Sequence, residues 1–219
     1  MDFLLINIPI CFCSTHHLHK PNRMTHPVHE TESGIINLYS GGKINLLDPR
    51  PEQIDIRDIA HALSNICRFG GHTREFYSVA QHSCLVSHLI YSPEIHSIKG
   101  ANELQLIALL HDASEAYLGD VVKPLKHRIA LAYEPLEMLF TIAINRRFGI
   151  DLQAIIATQQ AVKYADKRAL EMEFNALFSD DPTDLWVWAV DYYPTAKNNC
   201  WSPEEAEEIF LSTFNELSK

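Results

Sequence analysis

The stretch Leu109-Leu110-His111-Asp112-Ala113-Ser114-Glu115, running on to Gly119-Asp120, decides how this chain is read. Adjacent His and Asp side chains offer an imidazole and a carboxylate, a mixed nitrogen and oxygen pair suited to a divalent metal. Leu104, Ile107, Ala108 and Leu110 precede them at helical spacing, which predicts that His111 and Asp112 ride on a mostly buried helix. Glu115, four residues after His111, would return to the same helix face. Acidic groups and an imidazole inside an apolar helix are costly unless something pairs them, and a metal would do so. Alone, such a pair also fits a polar helix end with a satisfied core histidine, so the rest of the chain has to decide.

Outward from this stretch the pattern stays helical. The central helix is expected over about Asn102 to Leu118, with Gly119 closing it. Upstream, Asp58 can cap a helix over Ile59 to Ile66, and Ser78 with Gln81 forms a capping-box pattern for Val79 to Ile90. Downstream, helices are expected from Pro135 to Phe148, from Leu152 or Thr158 to Phe178, and after Ser202-Pro203-Glu204-Glu205. The exception lies near the start, where Ile35 to Tyr39 and Lys43 to Leu47 flank Ser40-Gly41-Gly42 as a small β-hairpin. The fold class is therefore all-α with one minor hairpin.

At 219 residues, 47% apolar and 21% charged, residues 31–219 read as one globular domain with a substantial core. A formal charge of −10 argues against a nucleic-acid polymer or an anionic membrane surface as partner. Met1 to Cys13 is apolar but shorter than the roughly twenty residues that span a bilayer. It also lacks the basic start and cleavage site of a signal peptide. His16, His17, His19, His26 and His29 follow, and with Cys11 and Cys13 they match no zinc-module spacing. Residues 1–30 are read as a disordered extension without assigned function, Met24 offering an alternative start. Cys67, Cys84 and Cys200 read as reduced thiols of a cytoplasmic protein, in the host cytoplasm if the chain is phage-encoded. The aromatic stretch from Trp186 to Tyr193 could cover the core or a subunit interface, and a homo-oligomer is expected.

Metal-type residues stand at interior positions of three expected helices. They are His82 in Ser78-Val79-Ala80-Gln81-His82-Ser83, the pair His111-Asp112, and Asp166 in Val162-Lys163-Tyr164-Ala165-Asp166. This order, with its surroundings Tyr77 to Ser83, Leu110 to Glu115 and Tyr164 to Asp166, resembles the HD-domain metal-dependent phosphohydrolases. The resemblance runs from about Ile54 to Leu177 and implies a compact HD-domain bundle in which His82, His111, Asp112 and Asp166 hold one divalent metal. Two imidazoles and two carboxylates suit zinc, cobalt, manganese or iron, with room left for water and a phosphate oxygen. His61 and His88 have no such context.

The resemblance also implies roles for Glu115 and Asp120, since acids after His-Asp position or deprotonate the attacking water in family members that act on 5′-nucleotides. Asp120 could instead read the sugar or cap the loop before Val121, but the catalytic role is the favoured one. Arg68-Phe69-Gly70-Gly71-His72 resembles the Arg-aromatic element of HD-domain deoxynucleotidases, with Phe69 where relatives often carry Trp. Arg68 would fork onto a phosphate, Phe69 would stack on base or sugar, and His72 would donate a proton to the leaving oxygen or bind phosphate. Lys123 and Lys126, around Pro124, could contact a longer phosphate chain or be solvated surface.

The implied function is hydrolysis of 2′-deoxynucleotides. The segment Asn65 to His72 and the Pro124-Leu125-Lys126 element resemble the small phage dATP triphosphohydrolases, which release triphosphate from a dATP-like dNTP. This reading is preferred because Arg68, Lys123 and Lys126 are more cation than one phosphate needs. The alternative is a bacterial-type 5′-deoxynucleotidase that removes one phosphate from dNMPs. A rival of another class is a non-catalytic HD protein that binds a nucleotide and regulates a partner.

Overall fold

The computed structural model describes residues 34–90, 100–178 and 200–219. Among these, two short strands and seven α-helices form a mostly helical unit. Strands β1 (Ile35–Asn37) and β2 (Lys43–Asn45) pair antiparallel with Ile36 opposite Ile44, which is fully buried. Helix α1 (Ile56–Asn65) follows a short 3-10 turn at Pro51–Gln53. Its cap is Asp55, whose side chain accepts from the Arg57 amide, and not Asp58 as the sequence suggested. Asp58 is buried inside the helix instead, where it accepts from both the amide (2.7 Å) and the hydroxyl (2.9 Å) of Ser40. One carboxylate thus ties the hairpin turn to the helix, an arrangement only tertiary contact can select.

Helix α2 (Val79–Ile90) is the axis of the fold. Every residue from Val79 to Ser87 is buried, because α1, α3 (Ala101–Leu109), α6 (Leu152–Phe178) and α7 (Pro203–Leu217) all pack on it. A helix enclosed on all sides must satisfy its polar groups internally. Ser78 Oγ accepts from the Gln81 amide, Gln81 Oε1 accepts from the Trp201 amide, and Ser87 Oγ donates to the Gln105 carbonyl. Trp201, just before α7, and Ala206 and Phe210 within it close the core. That helix starts as its sequence dictates, with Ser202 and Glu205 capping each other's amides and Pro203 in the first turn. Ser202→Ala should lower stability by about 1 kcal/mol. A urea melt read by circular dichroism measures it, and an unchanged midpoint would show the cap to be idle.

Two expected helices have other bounds. The continuous helix over Asn102 to Leu118 is broken: α3 ends at Leu109 and α4 (Glu115–Leu118) is a separate turn. The reason is local competition. In a continuous helix the Ala108 carbonyl would accept from the Asp112 amide, but here it accepts from the His111 ring at 2.8 Å. His111 and Asp112 therefore lie in a tight turn, not on a helix. The helix expected from Pro135 begins twelve residues earlier, as α5 (Lys123–Arg147), with Pro124 in its first turn and Pro135 inside it. Pro135 is exposed and loses one backbone bond where water can solvate the freed carbonyl. Residues 1–33, the Pro93 region and the stretch from Asp180 to Tyr193 lie outside the described residues.

Candidate metal centre

Four side chains from three places in the fold meet beside α2. His82 comes from the middle of α2 and is fully buried; His111 and Asp112 come from the turn after α3; Asp166 comes from α6. Ligand atoms of His82, His111 and Asp166 lie within 4.8 Å of one another. Asp112 Oδ2 stands 3.1 Å from His111 Nε2 and 3.5 Å from His82 Nε2, and Asp166 Oδ1 stands 3.3 Å from His82 Nε2.

The orientation of the imidazoles is more informative than their proximity. His82 Nδ1 lies 2.6 Å from Glu173 Oε1, and His111 Nδ1 lies 2.8 Å from the Ala108 carbonyl oxygen. Both partners are acceptors, so each Nδ1 carries its hydrogen, and a ring that binds a cation would do so through the lone pair of Nε2, which points into the cluster. Both Nε2 atoms are buried, and neither makes an aligned hydrogen bond despite the nearby carboxylates. Buried ring nitrogens without hydrogen bonds are costly, and a cation would satisfy both. Two imidazole nitrogens and two carboxylates are a fitting donor set for zinc or a similar divalent ion.

The surrounding charge makes the same point. His111 and His82 hold the buried Asp112 carboxyl well below the usual range against the opposing effect of burial. Glu115 goes the other way, its pKa pushed up to about 9 by burial and then by the charges of Asp112 and Asp120. Burial and Asp112 also raise Asp120, partly offset by Arg68. So many carboxyl groups cannot all ionise together at low cost without a positive charge among them.

Asp112, Glu115, Asp120 and Asp166 line a cavity of about 510 Å³, together with Arg68, Phe69, Lys123 and Lys126. That volume lies within the range of small-molecule sites. Arg68 is held tightly, its guanidinium 3.2 Å from Glu173 Oε2 and 3.8 Å from Asp112 Oδ2, with its Nε buried and unbonded. Phe69, Gly70 and Gly71 all have positive φ, and for Phe69 (φ 57°) this is strained backbone that the flanking glycines help accommodate. The turn is anchored behind by the Arg68 amide on the Tyr77 carbonyl. Lys126 is paired with Glu137 and sits over the Tyr133 ring, whereas Lys123 is exposed at the cavity edge. His72 is exposed and is not among the cavity's lining residues. The structure therefore gathers every predicted site residue except His72.

Glu173 was not anticipated. It is fully buried on α6, where burial opposes its ionisation but His82 and Arg68 hold its pKa down to about 2. The signal that could have found it is its phase. Val162, Ala165, Ala169, Glu173 and Ala176 form the inner stripe of α6, and a glutamate in such a stripe needs a buried partner.

Fold and site together define a mostly helical protein with a small N-terminal hairpin and a His/His/Asp group that could hold a metal. The chain is 36% identical over 187 residues to the uncharacterized protein YfdR of Escherichia coli (strain K12), a match covering 84% of this chain and 96% of that protein. It is 40% identical over 152 residues to an uncharacterized protein of Rhodobacter capsulatus, covering 67% of this chain and 76% of that one. The chain belongs to the family of these two proteins. No family model matches it. No helix among the described residues is long and apolar enough to cross a membrane.

Proposed function

We propose that this protein is a metal-dependent phosphohydrolase of the HD-domain kind that acts on small 2′-deoxynucleotides, releasing triphosphate from a dATP-like dNTP. The observation that carries this reading is the pair of Nε2 lone pairs from His82 and His111, turned with Asp112 and Asp166 toward one point beside a nucleotide-sized cavity. A divalent ion held there would supply Lewis-acid polarisation of a phosphoryl oxygen and acidify water. Glu115 is placed to take the proton from the attacking water, and Asp120 assists or orients it. Arg68, already fixed by Glu173, presents its remaining donors to a phosphate oxygen, and Phe69 offers its ring to the base or sugar.

The charges lining the cavity set a condition on substrate binding. Five carboxylates (Asp112, Asp120, Glu134, Glu137 and Asp166) and the buried carboxyl group of Glu115 face three cations, Arg68, Lys123 and Lys126. A polyphosphate enters such a space only when divalent cations accompany it. Lys126 also spends part of its charge on Glu137. If the substrate is a triphosphate, Lys126→Ala should raise KM for dATP by about tenfold, the lower end for loss of a charge-assisted contact. dAMP should then be a poor substrate for the wild type.

The experiment is a product analysis with added Co²⁺ or Mn²⁺. Intact triphosphate from dATP supports the reading. Orthophosphate from dAMP, with Lys126→Ala unaffected, would assign a 5′-deoxynucleotidase instead. Tight nucleotide binding without turnover of either would point to a non-catalytic regulator.

A further inference from the structure

A buried carboxylate that serves two different functional groups is a different object from a core ion pair, and Glu173 is one. Its Oε1 lies 2.6 Å from His82 Nδ1, while its Oε2 forms an ion pair with a terminal nitrogen of Arg68 at 3.2 Å without an aligned hydrogen bond. His82 and Glu173 are both fully buried, and the side chain of Arg68 nearly so. The fully buried Tyr77 hydroxyl faces the same carboxylate.

We propose that Glu173 is a positioning residue that couples the two halves of the site, fixing His82 as a metal ligand with one oxygen and holding Arg68 at the cavity wall with the other. This rests on the metal-centre reading above. The histidine arm works through the tautomer. By accepting from Nδ1–H, Glu173 leaves Nε2 as the lone-pair nitrogen, stops the buried ring from turning and raises its donor strength. The arginine arm works through position. The second oxygen pairs with the guanidinium that also faces Asp112, at the cavity wall beside the strained Phe69 turn. The two arms explain why a carboxylate is needed. An amide of the same shape carries no charge to pair with Arg68 and turns an N–H group toward either His82 or Arg68, so it serves one arm at most.

The test uses the full chain stripped of metal and titrated with Co²⁺, following the visible absorption of the bound ion. Glu173→Gln should weaken Co²⁺ affinity by about 10- to 100-fold, as loss of a ligand-orienting partner does. A purely structural role would lower the melting temperature but leave the affinity of the folded protein unchanged, and that result overturns the proposal while leaving the metal centre standing. A second measurement needs no variant. In Zn²⁺-loaded wild type, ¹⁵N-resolved spectra should show a protonated His82 Nδ1 with a strongly downfield proton, the mark of a short bond to carboxylate. A deprotonated Nδ1 there overturns the proposal even if Glu173→Gln does not fold. If the wild type takes up no Co²⁺, the metal reading fails and this role fails with it.

Discussion

Replacing His111 by alanine should empty the metal centre. The His111 ring is one of two imidazoles that turn Nε2 into the cluster, and its Nε2 stands 3.1 Å from Asp112. Without it, His82 and two carboxylates remain, and Asp112 loses the partner that most depresses its pKa. Metal affinity should fall by more than about a hundredfold, the upper end of what loss of a mere supporting contact costs. Activity should fall with it. A thermal readout is independent of any substrate. At Co²⁺ about a hundredfold above its Kd, the wild type gains about 2.7 kcal/mol from ligation. For a chain of this size that raises Tm by about 5–10 °C. The variant should show no such shift. Wild-type metal content by elemental analysis in His111→Ala would rule out the assignment.

What the sequence made legible, and what it hid, follows from where each decision is taken. Helices α2 and α7 begin where their caps say, because Ser78 and Ser202 bond amides three residues ahead and need nothing distant. The break after α3 was hidden because apolar spacing continues smoothly through Leu110. What stops the helix is the His111 ring taking the Ala108 carbonyl, a contact that the ring's role in the cluster selects. The start of α5 was misplaced for a related reason. Both Pro124 and Pro135 can open a helix, and only the path of the chain beside the cavity makes the first the opener and leaves the second exposed inside.

The site shows the same division. His82, His111, Asp112 and Asp166 could be picked out because they are costly residue types within helical, apolar surroundings. Arg68 was visible as a cation, but its attachment to Glu173 was not, since the turn after α1 that carries Arg68 is far in sequence from α6. Glu173 sits between Met172 and Phe174 and resembles any surface glutamate of a long helix until the inner face of α6 is known. His72 follows three consecutive positive-φ residues, is exposed, and is not among the residues lining the cavity.

Glu115→Gln is expected to cost on the order of a hundredfold or more in kcat while KM and metal content stay near wild type. Glu115 opens α4 directly after the His111-Asp112 turn and is buried at the cavity wall, with Oε2 making no hydrogen bond. Such an oxygen is free to accept a proton from water held beside Asp112. In the metal-free protein, burial and the charges of Asp112 and Asp120 push its pKa up to about 9. A cation held by His82, His111 and Asp166 would oppose those charges and favour the ionised form of Glu115. Glutamine keeps the shape and hydrogen-bonding reach but cannot take the proton, so the loss should fall on the chemical step. Asp120 lines the same cavity, and Asp120→Asn is the control. If Glu115 is the base, Asp120→Asn loses less than Glu115→Gln. A Glu115→Gln enzyme that turns over at the wild-type rate, beside an inactive Asp120→Asn, would move the role to Asp120.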